Sequence, residues 1–196
     1  ALAMLGAGGC GFFETRSLVP PDVSRTVPKA DPIHPDSVLW NYQVAVRYSA
    51  LGEAQLSDAM AEAFVMNLSE RDSADLQFGS FGKQAKLKAY TDLSVANPDT
   101  AWFEFPDLGR EPDFDGGTAV RYDTMRYVFQ TLNPDDSVLR SYSGRATLQL
   151  NQDQSSNWVL TRWGDFEDES GNQTWGRYLG EAVPPPSKPR SGVLDS

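Results

Sequence analysis

The chain has 196 residues, of which 40% are hydrophobic and 11% aromatic, enough for one domain with a true core plus tails. Its 27 acidic against 17 basic side chains leave a net charge of −10, which excludes a surface built to grip a nucleic-acid backbone. One His and one Cys exclude an internal disulfide and any zinc site made of several thiolates.

The first ten residues, ALAMLGAGGC, are apolar or tiny up to Cys10. The run reads as a signal-peptide remnant and is too short to span a bilayer by itself. It resembles the cleavage box of bacterial lipoproteins. Ala7, Gly8 and Gly9 hold the small positions, although Leu5 rather than residue 7 supplies the leucine. The resemblance implies lipid attachment at Cys10, a membrane as partner, and a place in the bacterial cell envelope, periplasmic or on the outer surface. The alternative is a buried apolar strand with an ordinary Cys. Residues 11–36 hold Pro20, Pro21, Pro28, Pro32 and Pro35 and read as an extended tether. His34 lies in it with nothing to orient it, as a solvated linker residue.

A domain is expected over residues 37–181, followed by a proline-rich tail over 182–196. Asp36 or Ser37 caps a helix with Val38, Leu39, Tyr42 and Val46 inward. A second helix is expected from Glu53 to about Asn67, with Leu56, Met60, Ala63 and Phe64 on one face. Ala74–Ser80 reads as a short strand. Phe81–Leu93 reads as a third helix with Leu87, Tyr90 and Leu93 inward and its three lysines outward. The rest is β. Thr100–Phe105 is a short aromatic strand. Thr118–Leu132 is a long strand apolar on both faces, with Ala119, Arg121, Asp123, Met125, Tyr127 and Phe129 on one and Val120, Tyr122, Arg126, Val128 and Leu132 on the other. Val138–Leu150 is a strand with one wet side, Trp158–Phe166 another two-sided strand, and Gln173–Leu179 a final short strand.

Three helices followed by long hairpin-linked strands define an α+β class, with the helices packed on a strongly curved antiparallel sheet. In element order, and in the stretches VLWNYQVAVRYSALG, WVLTRWGDF and Thr174-Trp175-Gly176, the chain resembles the nuclear transport factor 2-like superfamily. That cone-shaped fold is shared by ketosteroid isomerases, polyketide cyclases and many non-catalytic modules, among them bacterial lipoproteins of unassigned function. The resemblance implies a pocket between the helices and the concave face of the sheet. Tyr42, Trp102, Phe105, Met125, Tyr127, Phe129 and Trp163 are its expected lining. It also allows a homodimer or a protein partner through the outer sheet face.

The superfamily's enzymes use an inward Asp or His base with a Tyr or protonated Asp as donor. Asp123 is the nearest equivalent in kind, with Tyr122 as donor. Arg121, however, shares its face and would hold it ionised, which is the opposite of a poised base. No His stands in the domain to activate a Ser. Asp113-Phe114-Asp115-Gly116-Gly117 resembles the start of a calcium loop, but Thr124 stands where a bidentate Glu is needed. No metal and no cofactor are therefore expected. The expected function is a lipid-anchored extracytoplasmic domain that binds a small apolar ligand or a protein without turnover. The alternatives are an isomerase- or cyclase-type enzyme and an accessory subunit of a membrane-associated assembly.

Overall fold

The first helix, α1 (Pro35–Arg47), is organised by its own sequence. Pro35 opens it where a missing N–H costs nothing, Asp36 sits in its first turn, and Arg47 lies in its last. Val38, Leu39, Tyr42, Ala45 and Val46 are all buried. The computed structural model describes residues 27–48, 52–96, 101–133, 135 and 137–183. Cys10, the tether up to residue 26 and the tail from residue 184 lie outside them. The part of the tether that is described is docked on the domain. Asn41 exchanges two hydrogen bonds with the backbone of Ala30, Gln55 donates to the Pro28 carbonyl, and the Trp158 N–H donates to the Pro32 carbonyl.

After α1 come α2 (Glu53–Asp58), β1 (Met60–Asn67), α3 (Glu70–Leu76), β2 (Ser80–Gly82) and α4 (Lys83–Ala96). The expected second helix is therefore cut short, and its second half is a strand. Met60-Ala-Glu-Ala has good helix formers, but β1 pairs with β2 on one side and a distant strand on the other, and that pairing overrides local propensity. The strand expected at 74–80 starts inside the helix α3, which ends at Leu76, and only Ser80 belongs to a strand, β2. Ser69 caps it by accepting the Asp72 N–H, a signal present in the sequence.

The remaining elements are β3 (Ala101–Glu104), β4 (Phe114–Asp115), β5 (Ala119–Leu132), β6 (Val138–Gln152), β7 (Trp158–Phe166) and α5 (Trp175–Gly180). The last is a helix, not the strand expected at 173–179. Thr174 caps it by accepting the Arg177 N–H. The strands form one open sheet in the order β2-β1-β7-β6-β5-β3, with β4 paired to the start of β5. All pairs are antiparallel except β1 with β7, so the sheet is mixed rather than purely antiparallel. Helices α1, α4 and α5 pack against this sheet. No helix among the described residues is long and apolar enough to cross a membrane.

Bulges correct the face assignments. In β5, Tyr122 is opposite Leu148 and Met125 opposite Ala146, so one residue is extra between them. Thr124 takes φ 60° at this point. The extra residue reverses the alternation, so Val120 and Tyr122 join Met125, Tyr127 and Phe129 on the buried face, while Arg121 turns outward with Arg126. The strand is not apolar on both sides. The same device in β7, between the partners of Gln149 and Leu150, puts Trp158, Leu160, Trp163 and Asp165 on one buried face. Bulges bend the strands that carry them, which curves this sheet round the helices.

Candidate functional site

The inner face of β5 and β7, closed over by α1, α4 and α5, is where a pocket was expected. Five of its lining residues, Tyr42, Met125, Tyr127, Phe129 and Trp163, are at most 2% exposed, as is Phe105. Their rings touch one another rather than an open space. Tyr42 lies 5.4 Å from Trp163, Tyr127 5.5 Å from Trp163, and Phe129 4.5 Å from Trp175, centre to centre. Trp102 does not belong to this set. Its neighbour Phe103 points inward, so alternation sends Trp102 out, where it is 42% exposed with the Arg47 guanidinium stacked 3.6 Å above its ring.

The middle of the space is taken by a lysine. Lys86 of α4 is fully buried, contrary to the expectation that the lysines of this helix face water. Its Nζ lies 4.6 Å from the ring centre of Tyr42, 4.7 Å from Phe64 and 4.8 Å from Trp163. It has no hydrogen-bond acceptor. Burial pushes its pKa well down, with Asp165 opposing that shift. Lys86 stands four residues before the buried Tyr90, so helical spacing carried the signal. The type of residue hid it, because lysine is seldom buried without a partner.

Asp165 is the second group that sequence reasoning misses. It sits two residues after Trp163 on the same face and is 1% exposed. It accepts hydrogen bonds from the Tyr127 hydroxyl at 2.6 Å, the Gly176 N–H at 2.7 Å and Trp163 Nε1 at 3.2 Å. Burial pushes its pKa up to about 6, while these donors pull it the other way. Tyr127 in turn accepts the Trp175 N–H at 3.0 Å, and Trp175 Nε1 donates to the Tyr42 hydroxyl at 2.8 Å. Burial raises the pKa of both tyrosines well above the ordinary value, with Asp165 adding to the rise. The result is a carboxyl with a raised pKa, hydrogen-bonded to a tyrosine and sealed inside aromatic rings.

The sequence-predicted catalytic candidates lie elsewhere. Asp123 is on the outer face, not the concave one, with a side chain 41% exposed and 3.0 Å from Arg121 Nε. The bulge at Thr124 is the reason. Tyr122 is inside, but its hydroxyl donates to Asp36 at 3.2 Å, at the start of α1. Among the described residues no group of three or more His, Cys, Asp or Glu side chains could hold a metal ion. Asp113 and Asp115 serve their own turn, accepting the N–H groups of Asp123 and Gly117.

No protein-family model and no curated protein matches the chain. Solved structures do. A protein from Novosphingobium aromaticivorans, described as the beta subunit of an aromatic-ring-hydroxylating dioxygenase, superposes with TM-score 0.50 at 15% identity, over 68% of this chain and 86% of that one. A nuclear transport factor 2-like superfamily protein from Salmonella enterica gives 0.49 at 10% identity, over 69% and 90% of the two chains. A protein with a cystatin-like fold from Caulobacter vibrioides gives 0.49 at 10% identity, over 68% and 87%. At these identities the likeness is one of fold alone. Helices packed on one face of an open mixed sheet make this an α+β fold, shared with the Novosphingobium protein.

Proposed function

We propose that this domain is a binding module that acts through its surface and carries out no turnover. The observation behind this reading is Lys86, fully buried among Tyr42, Phe64 and Trp163 in the place where a ligand of this fold would lie. A site filled by the protein's own side chain leaves binding to the exterior. There Trp102, Phe114, Leu139 and Phe166 are large apolar side chains left in water, the kind of residue that anchors a protein partner. The test is a titration of the full chain with an apolar fluorescent probe and with a small aromatic ketone, read by Trp fluorescence and melting temperature. Wild type is expected to show no saturable uptake, whereas Lys86→Ala, which empties the cage, takes up the small aromatic. Saturable quenching in wild type would sink the reading.

In the same proposal Cys10 is the lipid-attachment residue, and residues 11–27 lead from the bacterial envelope to the docked segment. The small-residue run before Cys10 supports this. Intact-mass measurement of the native protein tests it: a diacylglyceryl adduct at Cys10 is expected, and an unmodified thiol overturns it.

One observation favours the enzyme alternative, the 2.6 Å bond from Tyr127 to Asp165 at a carboxyl whose pKa stands at about 6. It transfers the base from Asp123 to Asp165. An isomerase of this kind loses all turnover in Asp165→Asn, with a rate that rises through pH 6 in wild type.

A further inference from the structure

The outer face carries a second concavity, separate from the filled interior. Asp107, Arg110, Thr124, Arg126 and Arg145 line an open groove of about 580 Å³, within the size range of small-molecule sites. Three guanidinium groups gather here in a chain whose net charge is −10. Arg126 and Arg145 are direct partners across β5 and β6. Like charges set opposite one another on a sheet destabilise it unless anions offset them. Thr124, a β-branched residue at φ 60°, holds the bulge beside them. Strain of this kind persists only where the surrounding structure enforces it.

The groove's own carboxylates satisfy the arginines unevenly. Asp107 takes Arg126 with both oxygens and also accepts its N–H, and Arg126 holds that carboxyl below its ordinary pKa. Asp113 holds one nitrogen of Arg110, but the buried Arg110 Nε has no acceptor. Arg145 has Glu169 at 3.2 Å, and that side chain is 93% exposed, a contact of little strength. Arg145, whose one carboxylate partner is weak and exposed, is thus the cation of the groove that the protein holds least firmly.

We propose that this groove binds a small molecule through an oxyanion, carboxylate or phosphate, gripped by Arg145, with Arg126 and Arg110 adding positive charge beside it. The planar fork of Arg suits both headgroups, and Glu169 is the internal competitor that the ligand displaces. The groove lies on the opposite side of the sheet from Lys86, so its failure leaves the filled-interior reading standing.

The test titrates the full chain with inorganic phosphate and, separately, with succinate at constant ionic strength, read by amide NMR shifts and calorimetry. Saturable binding of at least one probe is expected, with shifts centred on Thr124, Arg126 and Arg145. Which probe binds identifies the headgroup. Arg145→Gln, at an exposed position that leaves the fold intact, weakens binding by about tenfold or more, the scale of one charge-assisted pair. Glu169→Gln tightens it by removing the competitor. No saturation with either probe, or an affinity unchanged by Arg145→Gln, overturns the proposal.

Discussion

The hydroxyl of Tyr127 on β5 donates at 2.6 Å to Asp165 on β7, across the intervening strand β6. The bond passes over Gly144, where an added Cβ would stand 2.4 Å from the tyrosine oxygen. A glycine in the middle strand thus makes room for a polar link between two strands that do not touch.

That link gives a pH signature. The Asp165 carboxyl rises from 3.8 unfolded to about 6 folded, so the folded state binds the proton more tightly. Stability from this group is fullest below the unfolded value and falls as pH rises through the window from 3.8 to about 6. A shift of this size corresponds to roughly 3 kcal/mol at most. Urea midpoints from pH 4 to pH 7 for wild type and Asp165→Asn check it. Wild type is expected to lose more stability than the variant over that range, and parallel curves would refute the assignment.

Lys86→Met is expected to stabilise the fold near neutral pH by about 1–3 kcal/mol, because it removes a buried amine with no acceptor and keeps the volume. The attraction between the amine and the surrounding rings, which the variant gives up, offsets part of this gain. The folded pKa of Lys86 is lowered, so its penalty is present below the unfolded value and fades as pH rises toward it. The advantage of the Met variant should therefore shrink in alkaline solution. A variant less stable than wild type at pH 7 by chemical denaturation would show the cage to be net favourable.

Gly176 lies inside the helix α5, where Ala is normally better by about 1 kcal/mol. Here a Cβ would fall 2.5 Å from Asp165 Oδ2 and 2.8 Å from Leu68 Cδ2. Gly176→Ala should destabilise by about 2–4 kcal/mol, since either the carboxylate or the helix must move. Thermal melting decides this, and a rise in Tm would mean that α5 is loosely seated.

Thr124→Gly should behave in the opposite way. Its φ of 60° is costly for a β-branched residue and free for glycine. A gain of about 1 kcal/mol in urea unfolding is expected, with the β5–β6 register unchanged by NMR. A loss of stability would mean that the Thr124 side chain holds the bulge.

The sequence by itself determined the class of fold and the aromatic core. Long alternating stretches at 119–132, 138–152 and 158–166 can bury their apolar residues only as strands, and α1 announces itself by its inward stripe, although it starts at Pro35 with His34 as N-cap and not at a cap on Asp36 or Ser37. Tertiary structure alone decided which side each residue faces. One inserted residue in β5 exchanged the faces of Tyr122 and Asp123, because alternation counts residues and a bulge adds one. It also made β1 a strand from residues with helical preference, since a backbone flanked by β2 and β7 gains hydrogen bonds on both sides. Lys86 and Asp165 stand at inward positions of their own elements, but only packing on several elements at once takes such polar groups out of water.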